Sequence, residues 1–403
     1  MKHSFKIFSC LLLMLPFAAK SQTAVKAETI YTFNGAPIKN GVVLIKDGKI
    51  ENVGTTKEIS IPKNYTVVTT KIVTPGFIDA RSVVGLSGPL NIPTDQDQLE
   101  KSSPIQPELR AIDAYNPEDK LVQYVRDYGV TTMHTGHGIG ALVSGQTMIV
   151  KTKPGKIDAV TLVPIERFAM TIGSAVQGNF TSPGTKAKQI AMIRTELLKA
   201  QGYMQKMNDK DTSKHPSIDL KYEALTKLLK GEVKALMTVN STNDIMNAIR
   251  LAKEFNFKLV IDGAAEAYNV IDEIKAAKVE VILHATMARN GGDMVNMTRE
   301  SAGILTAAGI PVSIETGYEA YVPKTHVLLY EAALAVTYGL PYEEGLKAIT
   351  INPAKLLGID KRVGSIEKGK DADLVLFDGD PYEYLTHVCK VMIDGVWVTE
   401  NCK

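Results

Sequence analysis

Six histidines follow residue 21: His134, His137, His215, His284, His326 and His387. Imidazole is both the side chain that exchanges a proton nearest neutral pH and the commonest metal ligand. Two of the six stand three apart in Thr132-Met-His-Thr-Gly-His-Gly-Ile-Gly140, His284 ends the apolar run Val281-Ile-Leu, and Glu315 ends Pro311-Val-Ser-Ile. His134, His137, His284 and Glu315 could together bind Zn²⁺ or Fe²⁺, which take imidazole and carboxylate ligands. In a metal-free version a neutral His acts as base while Arg81 stabilises negative charge. The plain alternative is that these histidines are hydrogen-bonded core or loop residues, and His-x-x-His in a glycine-rich turn is a weak metal signal by itself. Arg81 is a permanent cation that would repel a divalent ion. It could clamp a substrate carboxylate or form a structural salt bridge. Tyr318, Tyr321 and Lys324 follow on a loop where they could line a small-molecule pocket, or else an inter-domain or subunit contact. Ser144-Gly145-Gln146 is no nucleophile elbow, no dinucleotide fingerprint is present, and Lys151 reads as a solvated strand-end lysine.

These residues can converge only if the chain brings strand ends together. Apolar runs at Ile72 to Ile78, Val130 to His134, Val160 to Pro164, Ala235 to Val239, Leu259 to Ile261, Val279 to Leu283 and Pro311 to Ile314 read as strands. Between them Pro117 to Tyr128, Lys186 to Met207, Ile218 to Lys230, Thr242 to Phe255 and Ala267 to Ala277 read as helices. Alternating buried strands and amphipathic helices imply parallel βα units, and residues 73–362 are enough for a closed TIM-like (β/α)8 barrel. Ala141 to Lys151 is hairpin-like and leaves the strand count between the second and fifth open. The ends of the chain differ. Asp47-Gly48 and Asp394-Gly395 each sit between β-rich runs as hairpin turns, so residues 22–72 and 363–403 are expected to build one small β-sandwich domain. Catalytic groups of such barrels sit at the C-terminal strand ends, which would gather Arg81, His134, His284 and Glu315 at one mouth.

Over 403 residues, 46 Lys+Arg face 44 Asp+Glu and 45% of residues are hydrophobic. That balance supports a large core and gives no basic field for nucleic acid. Residues 1–21 read as a signal peptide: Lys2 and Lys6, an apolar run from Ile7 to Ala19, then Ala19-Lys20-Ser21 at the cleavage position. The run is too short for a membrane anchor, so an exported, periplasmic or secreted protein is expected. Cys389 and Cys402 flank the Asp394-Gly395 hairpin. In straight register Cys389 faces Glu400 and Cys402 lies diagonal, a marginal geometry for a disulfide unless a bulge shifts the pairing.

Three stretches carry a family likeness. Thr74-Pro-Gly-Phe-Ile-Asp-Ala80 resembles the first barrel strand of the amidohydrolase superfamily, especially its imidazolonepropionase-like members. Asn352-Pro-Ala-Lys-Leu-Leu-Gly358 is similar to that family's last helix, and Gly364-Ser-Ile-Glu-Lys-Gly-Lys-Asp-Ala-Asp-Leu374 resembles its return into a composite sandwich. The resemblance implies a divalent metal that activates water for C–N hydrolysis. Its ligands would be a His-x-His after strand one, a His after each of strands five and six, and an Asp after strand eight. At the matching positions this sequence has Arg81 and Val83, Thr238, Gly263 and Gly317. No metal is therefore expected at the standard site, and a relocated Zn or Fe site is the remaining route to one.

The resulting expectation is an exported hydrolase acting on a non-peptide C–N bond, in a cyclic amide or acyl-amino small molecule, with a degenerate or rebuilt site. The alternative is a catalytically inactive protein that binds a small ligand or stabilises a partner, self-associating or pairing with an active homologue.

Overall fold

The computed structural model describes residues 22–90, 92–283, 291–317 and 327–402. The chain starts with β1 (Thr23–Ile30), β2 (Ile38–Lys46), β3 (Lys49–Thr55) and β4 (Thr66–Pro75). Asp47 and Gly48 turn β2 into β3 with φ of 53° and 80°, the two left-handed residues that a tight hairpin needs. The barrel follows as β5 (Phe77–Ser82), β6 (Val130–Gly136), β7 (Val143–Lys151), the short β8 (Thr161–Val163), β9 (Arg167–Thr171), β10 (Lys234–Val239), β11 (Leu259–Gly263), β12 (Glu280–Leu283) and β13 (Val312–Ile314). The chain ends in β14 (Leu374–Phe377), β15 (Val388–Ile393) and β16 (Val396–Thr399).

Both termini share one seven-stranded sheet in the order β16-β15-β14-β4-β1-β2-β3. The sheet curls until its hairpin tips meet: Ala372 donates its N–H to the Gly48 carbonyl and Gly395 donates to that of Ala372. Val25, Val43, Ile45, Leu374, Leu376 and Met392 pack inside the curl. This is the small sandwich beside the TIM-like barrel. The expected strand from Ile72 to Ile78 is two strands, because Gly76 separates the end of β4 in the sandwich from the start of β5 in the barrel.

The barrel strands follow β5-β6-β7-β9-β10-β11-β12-β13, with β8 paired to β7 alone. One departure corrects the all-parallel expectation, since β7 is antiparallel to both β6 and β9. The connection from β6 to β7, residues 137–142, is too short for a parallel crossover and permits only a return hairpin. The fourth ring strand is β9, whereas Val160 to Pro164 contributes only the side strand β8.

Between β13 and β5 the ring is closed by other means. Ile78 and Ile314 donate their N–H groups to the carbonyls of Ile349 and Ala348 at the foot of the seam. At its top the Asp79 carboxylate accepts the N–H (3.2 Å) and hydroxyl (2.6 Å) of Thr316. Inward positions follow the two-residue period of a strand. Ile78, Ala80, Ile149, Leu236, Val260 and Ile282 form an apolar plug with Ile351, Ala354 and Leu356 from the Ile351–Leu356 helix. Two residues further along β10 and β11, Thr238 and Asp262 face the same interior, one layer nearer the mouth.

The outer helices obey ordinary end rules. The Thr242–Phe255 helix begins at Ser241, whose Oγ accepts the Asp244 N–H, and ends at Asn256 with φ 54°. Ile245, Ala248, Leu251 and Phe255 on its inner face are buried. Among the described residues no helix is long and apolar enough to cross a membrane.

One expectation on a single residue is corrected, and one pairing left open is resolved. Lys151 is not solvated: it is 1% exposed, and its Nζ lies 2.9 Å from Asp371, 2.8 Å from Asp373 and 2.6 Å from Asp394. A barrel strand is thereby fastened to the sandwich, because the lysine ends β7 where the curled sheet covers it. Cys389 and Cys402 are bonded to each other. A shift in the β15–β16 pairing puts Val391 opposite Thr399 while Met392 faces Trp397, which moves the cysteines out of the diagonal arrangement.

Candidate active site

At the C-terminal end of the barrel the side chains become polar. Arg81, on β5, is only 4% exposed. Its guanidinium donates to the Ser82 carbonyl at 3.0 Å and to the His137 carbonyl, and its Nε stands 3.7 Å from Asp262 Oδ2. Thr238 donates its hydroxyl to the same Asp262 oxygen at 2.8 Å. Glu315, 2% exposed at the end of β13, hydrogen-bonds the Asp262 carboxyl. Arg81, Ser82, Val83, Ile139, Thr238, Asp262, Glu315 and Gly317 enclose a space of about 10 Å³, roughly enough for one water molecule.

Burial and charge set the protonation of this cluster. Burial first, then the charge and hydrogen bond of Asp262, lift Glu315 well above the usual carboxylate range, against an opposing pull from Arg81. Burial also raises Asp79 to about 7, although its bonds from Thr316 and the Arg81 N–H work the other way. Two buried carboxyls can share a hydrogen bond only if a proton lies between them, which fits a neutral Glu315.

His134 and His137 take the plain alternative, that of buried core residues. His134 is fully buried within the barrel wall. Its Nδ1 donates to the Ala80 carbonyl at 2.7 Å, and its Nε2 receives the Thr147 hydroxyl at 2.7 Å. Burial, with Arg167 and Arg81 adding to it, keeps this ring neutral far below its ordinary range. His137 is also buried, and burial followed by Arg81 lowers it to about 4. Its ring packs on Gly145, where a Cβ would approach the ring carbon Cδ2 to 2.4 Å. The glycine thus makes room for the protein's own histidine. His284, Tyr318, Tyr321 and Lys324 lie outside the described residues. The structure brings together Arg81 and Glu315, with the His137 backbone carbonyl against Arg81.

Sequence reasoning passed over Asp79 and Asp262 and did not assign Thr316. Each acid was visible as a carboxylate near the C-terminal end of a buried strand, one within the Thr74-Pro-Gly-Phe-Ile-Asp motif and one directly before Gly263.

Comparison with known proteins fits this architecture. The Amidohydrolase family model matches residues 320–398. A crystal structure of an amidohydrolase from Thermotoga maritima MSB8 superposes with a TM-score of 0.88 and 29% identity, covering 94% of this chain and 100% of that one. The chain belongs to the amidohydrolase superfamily. It falls in the imidazolonepropionase-like branch, being 31% identical over 164 residues to the imidazolonepropionase of Picrophilus torridus, 39% of this chain and 40% of that protein. It is also 26% identical over 388 residues to amidohydrolase tasK of Hapsidospora irregularis, 88% of this chain and 39% of the relative. The chain thus spans about two fifths of the length of these two curated relatives.

For an amidohydrolase-superfamily member the donor set at the mouth is unusual. Arg81 sets a guanidinium in the wall of the mouth beside Asp262, and Val83, Thr238, Gly263 and Gly317 offer no imidazole or carboxylate at the remaining ligand positions. A divalent ion does not fit there. His134 is not free to join a relocated set, since both of its nitrogens are engaged, and His284 of that set lies outside the described residues. Among the described residues the one trio of His, Cys or carboxylate donors close enough to share an ion is Asp378 with Cys389 and Cys402, whose sulfurs are bonded to each other.

Proposed function

We propose that this chain is a hydrolase of non-peptide C–N bonds in a small cyclic amide or acyl-amino compound, acting at a barrel mouth rebuilt around Arg81. The observation that carries the reading is the meeting of Asp262 and Glu315 beside the Arg81 guanidinium at a water-sized space at the strand ends, with Asp79 bonded to Thr316 close by. Groups whose environments push their proton affinities apart are the raw material of acid–base catalysis. The family's C–N chemistry supplies the reaction class. Export to the periplasm or the outside belongs to the same proposal, supported by the Cys389–Cys402 bond, since disulfides persist in oxidising compartments.

The test is turnover by chelator-treated, purified protein on pyroglutamate, hydantoin and N-acetylalanine, followed by amine release or ring opening. Hydrolysis of any of them without added metal supports the reading. No hydrolysis, with saturable binding by calorimetry, would favour the second reading of a ligand-binding or partner-stabilising protein. One observation speaks for that second reading: Arg81 is buried and held by two carbonyls and Asp262, which makes it part of the wall and leaves it poorly placed to grip a substrate.

A further inference from the structure

We propose that Asp262 and Glu315 form a proton-sharing carboxyl pair that activates water in place of the metal, with Arg81 balancing their charge and Thr238 orienting Asp262. This rests on the hydrolase reading above and names the groups that would perform it. The geometry is that of two acids from β11 and the end of β13, strands with β12 between them in the ring, whose side chains meet inside the barrel. Side chains from alternate strands share a layer of such barrels, so the meeting follows from the architecture. Both line the water-sized space, together with Arg81 and Thr238. Among the described residues the charged neighbours of Glu315 are Asp262 from β11, and Arg81 and Asp79 from β5. Thr238 reaches Asp262 from β10, and the nearby His137 is neutral at physiological pH.

The steps balance without any further reactant. The Asp262 carboxylate takes a proton from water as the water oxygen bonds to the amide carbon, and the Glu315 carboxylic acid gives its proton to the carbonyl oxygen. A neutral tetrahedral diol results, with the proton now on Asp262. Asp262 then protonates the leaving nitrogen as the C–N bond breaks. Glu315 recovers a proton from a diol hydroxyl, leaving the carboxylic acid product and restoring the starting pair. One water is consumed, and no electron leaves the system. The positive charge of Arg81 favours retaining one negative charge on the pair throughout.

Two readouts on the full-length protein separate this pair from the hydrolase reading itself. The first is the infrared carbonyl band of a protonated carboxyl group at pH 7.5, compared between wild type and Glu315→Gln, with Asp79→Asn as the control for the other raised acid. A band lost in E315Q and kept in D79N is expected; its absence from wild type overturns the shared proton. The second is turnover on whichever of the three probe compounds is hydrolysed. Glu315→Gln and Asp262→Asn should each lower kcat by about 10²-fold or more with a smaller change in KM, the range for loss of a general acid or base. Thr238→Val, which keeps the side-chain shape, removes the hydroxyl that orients Asp262 and should lower kcat with little change in KM, while Thr238→Ser restores the wild-type rate. Wild-type rates in folded E315Q and D262N overturn the pair while leaving the hydrolase reading intact. A wild type inert on all three probes removes that reading, and the catalytic role of the pair with it.

Discussion

Asp79 is a carboxyl fully enclosed by the barrel, and its bonds from Thr316 close the seam between β13 and β5. Its folded value of about 7 lies above the ordinary 3.8, chiefly through burial, so the native state holds the proton more tightly than the unfolded chain does. The stability that depends on this proton is complete below about pH 4, declines as pH rises towards 7, and changes little above that. A shift of that size corresponds to at most about 4 kcal/mol. Asp79→Asn should remove this slope. The amide oxygen can still accept the N–H groups of Arg81 and Thr316, and the new NH₂ can donate to the Thr316 hydroxyl. Thermal melts from pH 4 to 8 should therefore show a smaller decline in D79N than in wild type. Parallel curves would mean that Asp79 is not the group that titrates. Glu315 pulls in the same direction, so some slope should persist in the variant.

Among the elements, β7 has two unusual properties: it reverses the ring direction, and it ends in Lys151, buried among three aspartates of the sandwich. Burial would strip the lysine of its proton, but Asp373 and Asp394 outweigh it and hold the ammonium charged beyond its ordinary range. In turn Lys49, Lys151 and Arg362 overcome the effect of burial on Asp371 and bring it down to about 2. Lys151→Met would leave these carboxylates facing one another with their central cation gone. Removing one partner of a buried ion pair typically costs about 3–5 kcal/mol, and K151M should lower the Tm accordingly, or separate the sandwich from the barrel as an earlier transition. A melt unchanged from wild type would mean that Lys153, Lys49 and Arg362 suffice. Little of this was legible in the sequence, because Lys151 is 220 residues or more from its partners and strand patterning carries no information across that distance. The hairpins at Asp47-Gly48 and Asp394-Gly395 were legible, being decided by local backbone preference. The strand β9, Arg167-Phe-Ala-Met-Thr171, was not, since it opens with a buried arginine and lacks a long apolar run.

For the whole molecule, the barrel and the sandwich built from both termini could be anticipated from strand–helix alternation and three motifs, whereas the composition of the centre could not. The residues standing at the positions that match the usual ligands could be read one by one. That Asp262 and Glu315 would meet beside Arg81, with Asp79 close by, depended on ring closure, which brings the first and last strands of the ring together. The consequence is a statement about what holds the fold at its mouth. In a barrel whose ligands converge on a bound ion, removing the ion forfeits its binding free energy, RT ln(1 + [L]/Kd), or about 4 kcal/mol at a thousandfold excess over Kd. If, as proposed, the Arg81 guanidinium of β5 stands in for the ion, chelation has nothing to remove from the centre. Protein dialysed against EDTA and then offered Zn²⁺, Mn²⁺ or Fe²⁺ should melt at the same temperature throughout and leave gel filtration without stoichiometric metal. Arg81→Met should behave differently, with a lower Tm from the unbalanced Asp262 carboxylate. A divalent ion retained one-to-one by the wild type, with a Tm that drops on chelation and returns on reloading, would show that the guanidinium has not taken over the centre.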